Sequence, residues 1–119
     1  MRMQTTCLHN KQMDSDVYKL RRKVIDLIYE AKKLVDLPRI DVRVTDNHKF
    51  IAGAGCVHDN KIWITEKFVA SRAVVFHEIL HAVYGVPHIA GCPLMAPVYS
   101  NPPDDVCNRL FVKYAKQYK

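Results

Sequence analysis

The segment from residue 73 to residue 84 reads AVVFHEILHAVY, and it is apolar on every face except at His77, Glu78 and His81. An apolar segment of this length predicts a core helix rather than a surface helix. Ser71 is predicted to cap its start, and Gly85 to end it with a left-handed cap. Three ionisable side chains without partners are costly to bury in such a helix. The chain therefore has to fold so that these three groups find a partner, and this requirement constrains the rest of the architecture.

The spacing of these three residues predicts a metal site. His77 and His81 lie four residues apart, so on a helix both imidazole rings project from one face and can bind one small cation. Glu78 is rotated by about 100° from His77 on a helix of 3.6 residues per turn. Its carboxylate then lies beside the cation, where it can take a proton from a metal-activated water. This H-E-x-x-H spacing is typical of zinc-dependent peptidases.

Two further helices are predicted on either side of this segment. Apolar residues recur at steps of three and four over residues 17–35, with Lys and Arg between them, which predicts an amphipathic helix that Asp16 caps and that ends before Pro38. A final amphipathic helix is predicted after Pro103, because two prolines and two aspartates precede an apolar pattern of helical spacing there. Residues 1–15 are polar without periodicity, and we expect a flexible segment.

The segment between the first two helices carries strand patterns. Apolar and polar residues alternate over residues 40–45, which predicts a half-buried strand. Residues 51–57 and 62–64 flank a tight turn and predict a hairpin. Gly53 and Gly55 within it indicate a bulge, an edge or a place where another backbone comes close. The sequence therefore predicts one α+β domain over residues 16–119, with three helices around a small mixed sheet of three or four strands.

The central helix and the residues after it resemble a known clan of zinc metallopeptidases, the metzincins, whose signature is H-E-x-x-H-x-x-G-x-x-H followed by a Met-turn. Five residues supply the same types in the same order: His77, Glu78, His81, Gly85 and His88. Met95, within PLMAPVY, is similar to the Met-turn. The resemblance covers residues 51–99. It implies a zincin-like fold, one catalytic Zn²⁺ bound by the three histidines, and Met95 as an apolar floor beneath them.

One feature departs from the metzincin signature. Three residues separate His81 from Gly85, where the pattern has two, so Gly85 and His88 are each displaced by one position. A longer helix before the same turn still delivers His88 to the metal, and His88 is the third ligand that we expect. Two carboxylates and a thiol are the alternatives: Asp104, Asp105 and Cys92.

A metallopeptidase is the function that these residues predict, with Glu78 as the general base that deprotonates the attacking water. Tyr99 is a candidate for a hydrogen bond to the oxyanion or the substrate. We expect an extended peptide or protein substrate to bind along an edge strand near Ala54 to Val57. Two alternatives stay open: a zinc-binding module without turnover, and a DNA-associated zinc protease of the SprT type.

Composition and charge indicate which binding partners and which cellular compartment to expect. The net charge of +6 is compatible with nucleic acid, but the basic residues are spread along the chain, so nucleic acid is the less favoured partner. No apolar run approaches the roughly 20 residues that span a bilayer. The N-terminus lacks the apolar region of a signal peptide, and the four cysteines form no C-x-x-C pair, which predicts an intracellular protein with reduced thiols. We expect a monomer.

Overall fold

A computed structural model describes residues 7–46, 53–56, 59–98 and 100–119, and for 7–15 and 54–56 the description is confined to the backbone. Helices and strands follow one another in this order: α1 (Cys7–Leu34), β1 (Asp41–Thr45), β2 (Gly53–Cys56), β3 (Lys61–Thr65), α2 (Arg72–Tyr84) and α3 (Asp104–Gln117). A single 3₁₀ turn, Glu66–Phe68, joins β3 to α2. The predicted α+β class with three helices is confirmed.

The three strands form one mixed sheet in the order β1-β3-β2. Strand β1 is parallel to β3, whereas β2 is antiparallel to β3, with a hairpin turn in which Asn60 adopts a positive φ of 53°. Val42, Ile62 and Ile64 are buried and form the apolar face of the sheet. Three strands is the lower end of the predicted range, and no fourth strand occurs among the residues that the structure describes. Strand β2 is therefore an edge of this sheet.

Helix α1 begins at Cys7, so the predicted helix start near Asp16 is wrong. Apolar periodicity indicates which part of a helix packs against the core. It does not detect helical turns that consist mostly of polar residues. The stretch from 7 to 15 contains neither Gly nor Pro, so nothing in it opposes a helix.

Over the described ranges, no helix combines the length and the apolar character needed to cross a bilayer.

Helix α2 lies at the centre of the fold and contacts β2, β3, α1 and α3. The Ser71 hydroxyl accepts a hydrogen bond from the Val74 N–H at 3.2 Å, as predicted for the cap of this helix. Phe76, Ile79 and Leu80 are fully buried, and the Phe76 ring packs on Phe111 of α3 with 4.6 Å between ring centroids. This packing stabilises the helix that carries the ionisable residues.

The N-terminal end of α2 is fixed by one arginine. The Arg72 guanidinium donates to Asn108 of α3 at 3.0 Å and lies 3.6 Å from carboxylate oxygens of Glu30 on α1 and Asp104 on α3. It also stacks over the Phe76 ring, 5.4 Å from the centroid. A largely buried arginine with several partners holds its neighbours in a defined geometry. Arg72 thus ties the three helices together at one end of α2.

Candidate metal centre

Three histidines converge at the other end of α2. Each of His77, His81 and His88 offers one ring nitrogen, and these atoms all lie within 4.8 Å of one another. The ring centroids of His81 and His88 are 4.8 Å apart, and those of His77 and His88 are 5.3 Å apart. His77 and His81 are half-buried, whereas His88 is exposed. The group can hold a metal ion and is open to solvent on one side.

Backbone carbonyls orient the two histidines of α2. The Nδ1 atom of His77 lies 2.7 Å from the Leu94 carbonyl oxygen, and that of His81 lies 2.6 Å from the Val86 carbonyl oxygen. A carbonyl oxygen only accepts, so each Nδ1 carries the hydrogen and each neutral ring has its lone pair on Nε2. Carbonyls in this role are typical partners of metal-binding histidines, because they fix the tautomer and the orientation of the ring.

The two lone pairs point at each other. The Nε2 atoms of His77 and His81 are 3.0 Å apart. Burial lowers the pKa of His77 to about 4, with smaller contributions from His81 and His88, so a shared proton is disfavoured at neutral pH. Two facing lone pairs repel unless a cation lies between them. In a tetrahedral zinc site, with nitrogens about 2.0–2.1 Å from the metal, they are separated by roughly 3.3 Å. The observed separation therefore fits a small cation.

The glycine turn after α2 accommodates the additional residue in the motif. The helix continues to Tyr84, and Gly85 adopts a left-handed conformation with φ 65° and ψ 28°. The Gly85 N–H donates to His81 O and the Val86 N–H donates to Leu80 O, each at 3.1 Å. The bond from the left-handed Gly85 to the carbonyl four residues before it is that of an αL cap. The turn brings His88 close to the other two histidines. It also places the Val86 carbonyl where it accepts a hydrogen bond from the His81 ring.

The loop after His88 supplies the second carbonyl. The Ile89 N–H donates to Met95 O at 2.8 Å, which closes the loop into a compact turn. Leu94 and Met95 are buried, and Met95 is fully so, as expected for an apolar floor. One segment of chain after α2 therefore carries the third histidine and both carbonyls that orient the first two.

Glu78 lies in a different environment from the histidines. Its side chain is only 5% exposed, and burial raises its pKa to about 8. Strand β2 covers it: a Cβ atom on Gly53 would lie 3.2 Å from the Glu78 Cγ and 2.6 Å from the Trp63 carbonyl oxygen. Any side chain at position 53 would thus push β2 away from β3 and from Glu78. Gly53, which indicated an edge or a close approach in the sequence, thus allows the β2 backbone to approach the Glu78 side chain.

The alternative third ligands do not join the histidine group. Cys92 is buried inside the loop, where its sulfur accepts the Met95 N–H at 3.3 Å. Asp104 and Asp105 are exposed at the start of α3, and Asp104 pairs with Arg72. Within the described ranges, the group that could hold a metal ion consists of the three histidines. Tyr99 and Val57 lie outside the described residues.

The metal-free protein should lose stability as the pH rises from about 6.5 to about 8. Burial raises the pKa of Glu78 to about 8 from 4.5, so in this window the folded chain holds a proton that the unfolded chain has released. His77 has the opposite effect on stability, but only below pH 6.5, because burial in the folded chain lowers its pKa from 6.5 to about 4. At about 1.4 kcal/mol per pH unit for one group, the free energy of unfolding should fall by about 2 kcal/mol.

Urea unfolding of the chelator-treated protein across this pH range measures the effect. The matched variant is Glu78→Gln, which has no carboxyl group to titrate and should show a flat dependence between the same limits. A decline of equal size in Glu78→Gln would assign the effect to another group and contradict the account of Glu78.

Sequence reasoning identified the ionisable residues of this site but not the groups that orient them. The carbonyls of Val86 and Leu94 carry no sequence signal, because every residue has one. The contact between Gly53 and Glu78 had a signal in the glycine itself, which indicated a close approach without naming its partner.

Comparisons with protein-family models, with curated proteins and with solved structures found no match to this chain. The three histidines, their carbonyl partners and the buried Glu78 are therefore the grounds on which a function can be assigned.

Proposed function

We propose that this chain is a zinc-dependent metallopeptidase of metzincin-like type, in which His77, His81 and His88 bind one Zn²⁺ and Glu78 is the general base. The observation that carries the proposal is the distance of 3.0 Å between the Nε2 atoms of His77 and His81. The Nδ1 atom of each ring donates a hydrogen bond to a backbone carbonyl, so both Nε2 atoms are left to bind a metal. Imidazole nitrogens at this spacing suit zinc among the common metals. Three protein ligands leave a fourth position open, as catalytic zinc sites do.

The chemistry is hydrolysis of a peptide bond. Zn²⁺ in this site would polarise the scissile carbonyl and make a water molecule nucleophilic near neutral pH. Glu78 takes the proton of the attacking water as the new C–O bond forms. It then delivers that proton to the leaving nitrogen as the C–N bond breaks. The charge of the ion favours the ionised form of Glu78 and so opposes the rise in pKa that burial causes.

The substrate would bind along β2. This strand is an edge of the sheet, and an extended peptide can add to such an edge through main-chain hydrogen bonds. Gly53 lies against the Glu78 side chain, which supports a path for the added peptide past the base. Glycine and alanine dominate the strand, which favours a shallow and permissive cleft. Tyr99 stays a candidate for a hydrogen bond to the oxyanion.

A zinc-binding module without turnover is the alternative. A closed structural site needs four protein ligands, and it has no use for a buried carboxylate next to one of them. Cys92 would be the candidate for a fourth ligand, but its sulfur accepts the Met95 N–H inside the loop. The peptidase is therefore the better supported of the two functions.

Metal-dependent proteolysis tests the proposal. The purified protein should bind one Zn²⁺ per chain and cleave an unfolded protein such as casein, with fragments identified by mass spectrometry. A chelator should abolish cleavage, and added Zn²⁺ should restore it. Stoichiometric zinc without cleavage of unfolded proteins would instead favour the module without turnover.

A further inference from the structure

Gly53 is the residue at which strand β2 packs against both β3 and α2. In the sheet it pairs with Ile64 of β3. A Cβ atom on this residue would lie 2.6 Å from the Trp63 carbonyl oxygen, 3.2 Å from Glu78 Cγ and 3.3 Å from Ile64 Cδ1. Optimal contacts between carbon atoms are about 3.5–4.0 Å long, so a methyl group has no room here. The backbone of β2 therefore approaches its neighbours this closely only because residue 53 is a glycine.

Strand β2 is the element that a side chain at position 53 would displace. The other two elements, α2 and β3, are fixed in the core by fully buried side chains: Phe76, Ile79 and Leu80 on α2, and Ile62 and Ile64 on β3. A close-packed interior has no void into which such side chains could shift. Strand β2, in contrast, lies at the edge of the described sheet and pairs with β3 alone. We therefore expect β2 to move and the core to stay.

The close approach at Gly53 sets two positions that matter for the proposed reaction. The first is that of Glu78, which is 5% exposed and whose Cγ lies next to Gly53, so its side chain has little space for another rotamer. The second is that of the substrate, because a peptide added to β2 through main-chain hydrogen bonds moves with that strand. The base and the scissile bond are thus placed relative to each other by one contact.

We propose that Gly53 is a positioning residue of the reaction, which fixes the conformation of Glu78 and holds the substrate-binding strand at a set distance from this carboxylate. This inference rests on the proposed function, since it takes Glu78 as the base and β2 as the strand that binds the peptide. Gly53 has no side chain to take part in the chemistry. It acts through Glu78 and through the strand.

The first test is the kinetics of zinc-loaded Gly53→Ala on a peptide that carries a cleavage site identified in casein. The value of kcat should fall by at least about tenfold, since a misplacement of about 1 Å can cost about 10² in rate. KM should stay within about threefold, because β2 still offers its main-chain groups to the peptide. Zinc affinity, measured by competition with a chromophoric chelator, should be unchanged, because the histidine group does not include β2.

Val42→Ala is the matched control for a general loss of stability. Val42 is buried on β1, at the opposite edge of the same sheet, and its truncation leaves a cavity in the core. This variant should unfold at a lower urea concentration than wild type and should keep the wild-type kcat.

A double-mutant cycle in urea tests the contact between Gly53 and Glu78 without zinc or peptide. Glu78→Ala removes the Cγ atom that a Cβ at position 53 would meet. Gly53→Ala should therefore lower the urea midpoint less in the Glu78→Ala background than in wild type. In the Val42→Ala background it should cost as much as in wild type, because β1 and β2 are not neighbours. If Gly53→Ala alone does not fold, the Glu78→Ala background should restore folding.

A wild-type kcat in Gly53→Ala would overturn the inference, and so would an equal loss of kcat in Val42→Ala. Additive effects of Gly53→Ala and Glu78→Ala on the urea midpoint would overturn it as well, as would a double variant that stays unfolded. Failure of the proposed function gives a different result, in which the wild-type protein itself cleaves no protein. That result would refute the peptidase and the positioning role together, whereas an active wild type with an equally active Gly53→Ala would refute the positioning role alone.

Discussion

Glu78→Gln should abolish peptide hydrolysis while leaving zinc bound. Glutamine has almost the shape of glutamate and fits the same buried space against Gly53, but it cannot take a proton from water. Removing a general base costs typically about 10² to 10⁴ in rate. Because Glu78 is not part of the histidine group, the metal ligands are untouched. We therefore expect a loss of cleavage of at least about a hundredfold at unchanged zinc content.

The matched control is Glu66→Gln, which removes a carboxylate from the exposed turn after β3. It should cleave casein at the wild-type rate. Cleavage by Glu78→Gln within a few-fold of wild type would contradict the role of Glu78 as base. Loss of zinc together with loss of cleavage would instead indicate that Glu78 supports the metal ligands.

His88→Ala should lower zinc affinity by about a hundredfold or more. Apparent binding free energies of about 10–16 kcal/mol in four-ligand zinc sites correspond to roughly 3 kcal/mol for each ligand, or about two powers of ten. His88 is exposed, so its removal leaves no cavity in the core and little change in unfolding is expected. His81→Ala should lose as much affinity, but it also leaves the Val86 carbonyl without its donor.

Chelator competition on folded protein measures these losses, and Asp104→Asn is the control for the alternative ligand. Because Asp104 is exposed and paired with Arg72, its substitution should not change zinc affinity. If Asp104→Asn lost zinc while His88→Ala kept it, the third ligand would have to be reassigned to α3.

Much of this architecture could be predicted because its signals are local. The cap at Ser71, the left-handed turn at Gly85 and the hairpin over residues 53–65 each depend on one or two residues whose backbone preferences decide the geometry. The spacing of His77 and His81 on one helical face needed no tertiary information either. The structure agrees with the sequence on all of these points.

The features that could not be predicted are tertiary contacts and contacts made by main-chain groups. The approach of Gly53 to Glu78 depends on how β2 crosses α2, and a sequence pattern does not contain that distance. The carbonyls of Val86 and Leu94 reach the histidines only because the loop closes in one particular way. Cys92 was a candidate ligand because it lies only four residues after His88. In the structure its sulfur instead accepts the Met95 N–H inside the loop.

Zinc K-edge X-ray absorption on the stoichiometric zinc complex, together with a crystal structure of that complex, tests the central claim most directly. The account predicts one ion bound by Nε2 of His77, His81 and His88 at about 2.0–2.1 Å, with one non-protein oxygen in the fourth position. A sulfur ligand at about 2.3 Å, or four protein ligands around the ion, would contradict it.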